Sequence, residues 1–199
     1  MTNEKFQEDI IQGTQKHIID TARRLFSEYS YLGVSMSDIA KKLNITKAAL
    51  YYHFTGKANI YKKVLDEVFD NLSLSITEAL KEKTIDRKLH KLITNYLNFG
   101  FKEKNLIKAL LLKLSRSDRQ ITQYIIQLRK KTTDLMQPLI EEVMTKKEIT
   151  RVVDCRLVTS LLIGMMDGFL LENSFLNKQI DTNKISTQII TVMGLLKNN

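Results

Sequence analysis

Ser35-Met-Ser-Asp-Ile-Ala-Lys-Lys-Leu-Asn-Ile-Thr-Lys-Ala-Ala-Leu-Tyr-Tyr-His-Phe54 encodes two short helices joined by a tight turn. Ser35 followed by Asp38 has the form of a capping box, with Asp in the place of the usual Glu. Asp38 also complements the positive end of the helix it opens. Ile39, Ala40 and Leu43 supply that helix's buried side, and Asn44 falls where the chain must turn sharply. Asn adopts the left-handed conformation more readily than most residues. Thr46 is the N-cap of the second helix, which ends near Phe54 with Ala49, Leu50 and Phe54 facing inward. A surface helix that offers small and basic residues first, then Tyr-Tyr-His, suits the major groove of DNA. In helix-turn-helix proteins the second helix presents its N-terminal residues to base edges. Those residues are Thr46, Lys47, Ala48 and Ala49, with Ser37 as the other candidate near the groove. Lys47 can donate to guanine O6 or N7, and an alanine methyl can pack on a thymine methyl.

Outward from this pair the pattern stays helical. A first helix is predicted over about 14–29 from the stripe Ile18, Ile19, Ala22, Leu25, Phe26 and Tyr29. Thr55-Gly56 breaks the chain, and a long helix follows from Lys57 to about Lys81. Helical periodicity resumes at Asp86, in a short helix from about 105 to 114, and in a long one capped by Ser117 or Asp118. Pro138 lies inside that last helix and is expected to kink or split it. The stretch from about 149 to 175 is apolar nearly all round, as in a helix buried on two sides. A final helix is predicted over about 182–197. The expected fold is all-α with about nine helices. A helix-turn-helix domain takes residues 1–56 and a helical body takes 57–199, and the long helix from Lys57 crosses the boundary without a linker.

Composition agrees. The chain has 199 residues, 43% of them hydrophobic, one Pro and seven Gly, so few places break a helix. The net charge of +9 suits a polyanionic partner. Residues 1–60, however, carry eight Lys/Arg against six Asp/Glu, only +2, so charge alone does not place a nucleic-acid surface. Cys155 is the single cysteine, which excludes an intrachain disulfide. A plain buried thiol is the expectation for it, with a redox sensor as the other reading. The N-terminal residues are too polar for a signal peptide, and the most apolar segment, Leu157 to Leu171, is too short and polar to span a bilayer. A cytoplasmic, nucleoid-associated protein is expected. There is no Gly-rich phosphate loop, no His-Glu-x-x-His and no Gly-x-Ser-x-Gly, so no catalytic role is expected. His17, His53 and His90 are scattered, and neither a metal site nor a cofactor is anticipated.

Over about residues 15–65 the chain resembles the TetR family of bacterial transcriptional regulators. The resemblance rests on Ile18-Ile-Asp-Thr-Ala-Arg-Arg-Leu-Phe26, Gly33-Val-Ser, Asp38-Ile-Ala-Lys, Leu50-Tyr-Tyr-His-Phe54 and Lys57. Beyond residue 65 it is architectural only. Members usually carry Gly where this chain has Ser30, many carry Gly at Asn44, and an acidic residue is common at Ala58. The resemblance implies phosphate contacts from Ser35, Tyr51, Tyr52, His53 and Lys57, although Tyr51 equally suits a core aromatic. It implies a homodimer on palindromic double-stranded DNA, a helical body that binds a small effector, and repression relieved when the effector binds. The effector class is small and largely apolar, with cationic and lipid-like compounds both open. Candidate pocket residues are Tyr96, Phe99, Leu110, Tyr124, Leu128, Met165, Met166 and Phe169, any of which also suits ordinary core. Candidate interface residues are Leu157, Leu161, Gly164, Gly168, Ile185, Ile189, Val192, Met193 and Leu196. The two glycines could instead accommodate a neighbour within the chain. An architectural DNA-binding protein without an effector is the alternative reading.

Overall fold

The computed structural model describes residues 3–113, 118–146, 153–176 and 180–194, with side chains over 11–108, 118–146, 153–175 and 180–194. The described residues form nine α-helices and no strand: α1 (Asn3–Tyr29), α2 (Met36–Leu43), α3 (Lys47–His53), α4 (Lys57–Leu80), α5 (Ile85–Lys102), α6 (Lys104–Lys113), α7 (Arg119–Lys146), α8 (Cys155–Leu176) and α9 (Thr182–Val192). They fall into two compact units, one of residues 1–68 and 105–124, the other of 69–104 and 125–199. The first unit thus extends past residue 56, where the sequence suggests a boundary.

In the first unit α2 packs against α1 and α3. Ile18, Ala22, Phe26, Ile39, Leu50, Ile60 and Val64 are among its fully or almost fully buried apolar side chains. Each large one contributes about 1.5–3 kcal/mol by leaving water. The turn from α1 is made by Ser30, which is left-handed (φ 64°). Its N–H donates to the Phe26 carbonyl at 2.9 Å. α1 reaches back to Asn3, well before the predicted start at about residue 14.

In the second unit α5 packs against α8 and α9. The core comprises Leu89, Leu92 and Ile93 of α5 with Met136 and Ile140 of α7 and Leu162 and Met166 of α8. Pro138 does not split α7, which is continuous from Arg119 to Lys146. The missing amide and ring clash cost about 3 kcal/mol. Burial of Met136, Leu139, Ile140, Val143 and Met144 around Pro138 offsets that cost. α8 begins at Cys155, after Asp154, whose carboxylate accepts from the Leu157 amide at 2.8 Å. The predicted start near residue 149 lies outside the described residues. α9 ends at Val192, short of the predicted Lys197, because Gly194 turns left-handed (φ 60°) and donates to the Thr191 carbonyl at 3.0 Å.

Candidate nucleic-acid interface

The α2–α3 pair is built from local signals. The Ser35 hydroxyl accepts from the Asp38 amide at 3.2 Å, and Asp38 Oδ2 accepts from the Ser35 amide at 2.8 Å, which closes the capping box. The Ser35 side chain and amide hold the Asp38 carboxyl below the usual carboxylate range. Asn44 is left-handed (φ 55°). Its N–H donates to the Lys41 carbonyl at 3.2 Å and that of Ile45 to Ala40 at 3.0 Å, the pairing of a Schellman motif. Thr46 Oγ1 then accepts from the Ala49 amide at 3.1 Å and opens α3.

This frame exposes one face of α3. Thr46, Lys47, Ala48 and Ala49 are all exposed, and Leu50 is fully buried beneath them. Ser37 is half-buried at the start of α2. Lys47 has no hydrogen-bond or ion-pair partner among the described residues, so its ammonium is available to a ligand. Tyr51 is 52% and Tyr52 76% exposed, which places Tyr51 outside the core. His53 is half-buried, edge-on to the Tyr52 ring at 5.1 Å. Its Nδ1 is buried with no hydrogen-bond partner among the described residues.

Two residues tied by resemblance to phosphate are engaged within the chain. The Ser35 hydroxyl donates to Asp38 at 2.6 Å. Lys57 is half-buried, with Nζ donating to the Tyr31 carbonyl at 2.9 Å and lying 4.3 Å from the Tyr31 ring centroid. Burial lowers its pKa from the ordinary lysine value. Sequence periodicity could not show this, because Tyr31 precedes the motif and reaches Lys57 only through the fold.

In the second unit Tyr96 and Met166 are buried, and Phe99, Leu128, Met165 and Phe169 are half-buried. Phe169 meets Phe101 edge-on at 6.3 Å. Tyr124 belongs to the first unit. The side chain of Leu110 lies outside the described residues. Sequence reasoning missed the polar cluster in this interior. The Tyr96 hydroxyl donates to Asp167 Oδ1 at 2.7 Å, and Arg129 pairs with Asp167 Oδ2. An open cleft of about 350 Å3 is lined by Glu82, Arg87, His90, Lys91, Thr94 and Asn183, none of them a predicted pocket residue.

The predicted interface residues divide into two sets. Leu157 and Leu161 are 53% and 54% exposed, and Val192 is 76% exposed. Gly164 and Gly168 have nothing within 4 Å of where a Cβ would stand. Ile189 is buried within the chain, and Ile185 and Met193 pack against the core. Leu196 lies outside the described residues. Among the described residues no cluster of His, Cys, Asp and Glu could hold a metal ion, and no helix is long and apolar enough to cross a membrane.

Comparison with known proteins identifies the family. The profile of the bacterial regulatory proteins of the tetR family matches residues 18–64. That of the C-terminal region of YsiA-like proteins matches residues 61–194. A 56-residue stretch is 52% identical to the negative transcriptional regulator IcaR of the biofilm operon icaADBC in Staphylococcus aureus, over 28% of this chain and 30% of IcaR. The chain therefore matches less than a third of that relative. The fold is similar to that of the fatty acid degradation regulator FadR from Bacillus halodurans (TM-score 0.77, 19% identity, 90% of this chain and 93% of that one). It is also similar to FadR from Bacillus subtilis in complex with stearoyl-CoA (TM-score 0.76, 21% identity, 88% and 95%). With a helix-turn-helix at its N-terminus and a helical body matched along most of its length, the chain belongs to the TetR family of bacterial transcriptional regulators.

Proposed function

We propose that this regulator is a sequence-specific repressor whose α3 enters the major groove. The observation that carries this reading is the outward face of α3. Lys47 is exposed and unpartnered among the described residues, flanked by Thr46, Ala48 and Ala49 and held by the capped α2 beneath. Lys47, Thr46, Ala48, Ala49 and Ser37 read bases. Tyr51, Tyr52 and His53 contact phosphate, and Ser35 and Lys57 join them by exchanging their intrachain partners for phosphate oxygens. Phosphate contacts of this kind fix register, while base contacts specify.

One head spans too few base pairs to find a site in a genome, so two heads act on a twofold axis. The second copy covers Leu157, Leu161, Gly164, Gly168 and Val192, the exposed apolar and small residues of α8 and α9. The body takes a small and largely apolar effector among Tyr96, Phe99, Leu128, Met165, Met166 and Phe169 of the second unit. The complex of Bacillus subtilis FadR with stearoyl-CoA makes a long-chain acyl-CoA the first effector to try. The effector relieves repression to the extent that it binds the DNA-free conformation better. The protein acts in the cytoplasm, on the nucleoid, and catalyses nothing.

Selection of duplexes from a random library by the full chain tests this reading. The expected product is an inverted repeat with half-sites about one helical turn apart, or a multiple of it. Stearoyl-CoA is expected to release the protein from the selected duplex. Enrichment of no sequence, or of one without twofold symmetry, contradicts the reading. Release by no acyl-CoA removes the effector class.

A further inference from the structure

Tyr31 joins three helix ends. It lies just past the end of α1, and its ring packs 4.8 Å from that of Tyr61 and 6.1 Å from that of Phe26. Its hydroxyl donates to Asp118 Oδ2 at 2.7 Å. Asp118 Oδ1 accepts from the Ile121 amide at 3.1 Å, so the same carboxylate caps α7. On the backbone side the Tyr31 carbonyl accepts from Lys57 Nζ, the first residue of α4, and α4 follows α3 after only Phe54, Thr55 and Gly56. A second tyrosine repeats the pattern. The Tyr124 hydroxyl donates to Asp66 of α4, and Lys62 Nζ lies 5.4 Å from the Tyr124 ring centroid. All of these residues belong to the first compact unit.

A phenylalanine at position 31 would fill the same space between Phe26 and Tyr61. The hydroxyl therefore adds little apolar burial, and what it adds is direction, because a hydrogen bond constrains angle as well as distance. The start of α7 is held at a set place relative to the start of α4, and α4 is joined to the reading helix by three residues.

We propose that Tyr31 and Asp118 are positioning residues for DNA binding, acting on the pose of α3 through the packing of the Tyr31 ring on Tyr61 in the first turns of α4. This rests on α3 being the reading helix. Loss of the Tyr31–Asp118 bond weakens operator binding without unfolding the head. The start of α7 thereby sets operator affinity from a place that touches no DNA.

The test uses the full chain and a duplex selected by the wild type. Tyr31→Phe removes only the hydroxyl. Asp118→Ser keeps an N-cap for α7 but has no second oxygen for Tyr31. Each is expected to raise the Kd about tenfold, the size of one hydrogen bond to a charged acceptor. The double variant is expected to be no weaker than the weaker single one, since both remove the same bond. The Tm is expected to fall by no more than a few degrees. Without DNA, amide exchange over residues 46–54 is expected to quicken in Tyr31→Phe. Wild-type affinity and wild-type exchange in Tyr31→Phe would overturn the proposal. So would additive losses in the double variant that track Tm. If the wild type selects no duplex, the DNA reading of α3 falls, and the exchange measurement alone decides whether Tyr31 positions that helix.

Discussion

Tyr96 of α5 and Asp167 of α8 meet in the interior of the second unit, hydroxyl to carboxylate, at 2.7 Å. Arg129 of α7 pairs with the other carboxylate oxygen, so three helices share one polar junction in an apolar core. Burial is the main cause that raises the Tyr96 pKa well above its ordinary value, and the neighbouring Asp167 charge adds to it. The Asp167 side chain is 14% exposed and that of Arg129 46%, so water screens the pair on the arginine side only.

This asymmetry orders two substitutions. Tyr96→Phe leaves Asp167 with Arg129 and is expected to cost about 1 kcal/mol. Asp167→Ala strands both the buried Tyr96 hydroxyl and the Arg129 guanidinium, and is expected to cost about 2–3 kcal/mol. Urea unfolding of both variants checks the order; equal costs would mean that Arg129 contributes nothing.

Ser30→Gly is expected to stabilise the protein. Ser30 is held left-handed, where a side chain costs about 1–2 kcal/mol and glycine does not. The greater freedom of glycine in the unfolded chain takes back part of this, leaving a gain of about 0.5–1 kcal/mol. A Tm below that of wild type would show that the Ser30 side chain contributes more than its backbone costs.

Gly100→Ala tests the closest packing of α5 on α8. A Cβ there would stand 2.1 Å from Leu170 Cδ1 and 2.7 Å from Cδ2. Leu170 is buried and has little room to move. The substitution is expected to cost about 1–3 kcal/mol, and Leu170→Ala in the same chain is expected to restore part of it. No recovery in the double variant would place the strain elsewhere.

Stability is expected to fall at high pH. Burial pushes Tyr61 up to about 12, and raises Tyr31 and Tyr96 as well. Unfolded tyrosines ionise near pH 10. Between those values the folded state holds protons that the unfolded state has lost, so this contribution is complete below about pH 10 and is lost as pH rises towards 12. Asp118 acts in the opposite direction. Its pKa is lowered, chiefly by the Tyr31 hydroxyl, so its contribution is present above about pH 4 and is lost on further acidification. Urea unfolding across this range gives the profile, and Tyr61→Phe is expected to flatten the alkaline side.

What the sequence showed was whatever is encoded within a few residues. Ser35 with Asp38, Asn44 and Thr46 each announce a helix start or a turn through their own side chains, and all four act as read. Leu157 and Ile189 both sit on apolar stripes, but Leu157 is exposed and Ile189 is buried within the chain, a division that periodicity does not contain. The partners of Asp167 lie 71 and 38 residues away along the chain and those of Lys57 depend on the turn at Tyr31, so only packing reveals them. Pro138 does not split α7, because the surrounding apolar burial outweighs its local cost.

Base-resolved binding of Lys47→Ala to the selected duplex is the most direct test that α3 reads sequence. The exposed, unpartnered ammonium of Lys47 predicts a loss of about 1–3 kcal/mol and relaxed preference at one base position in each half-site. Unchanged affinity together with unchanged preference at every position would contradict the placement of this helix in the groove.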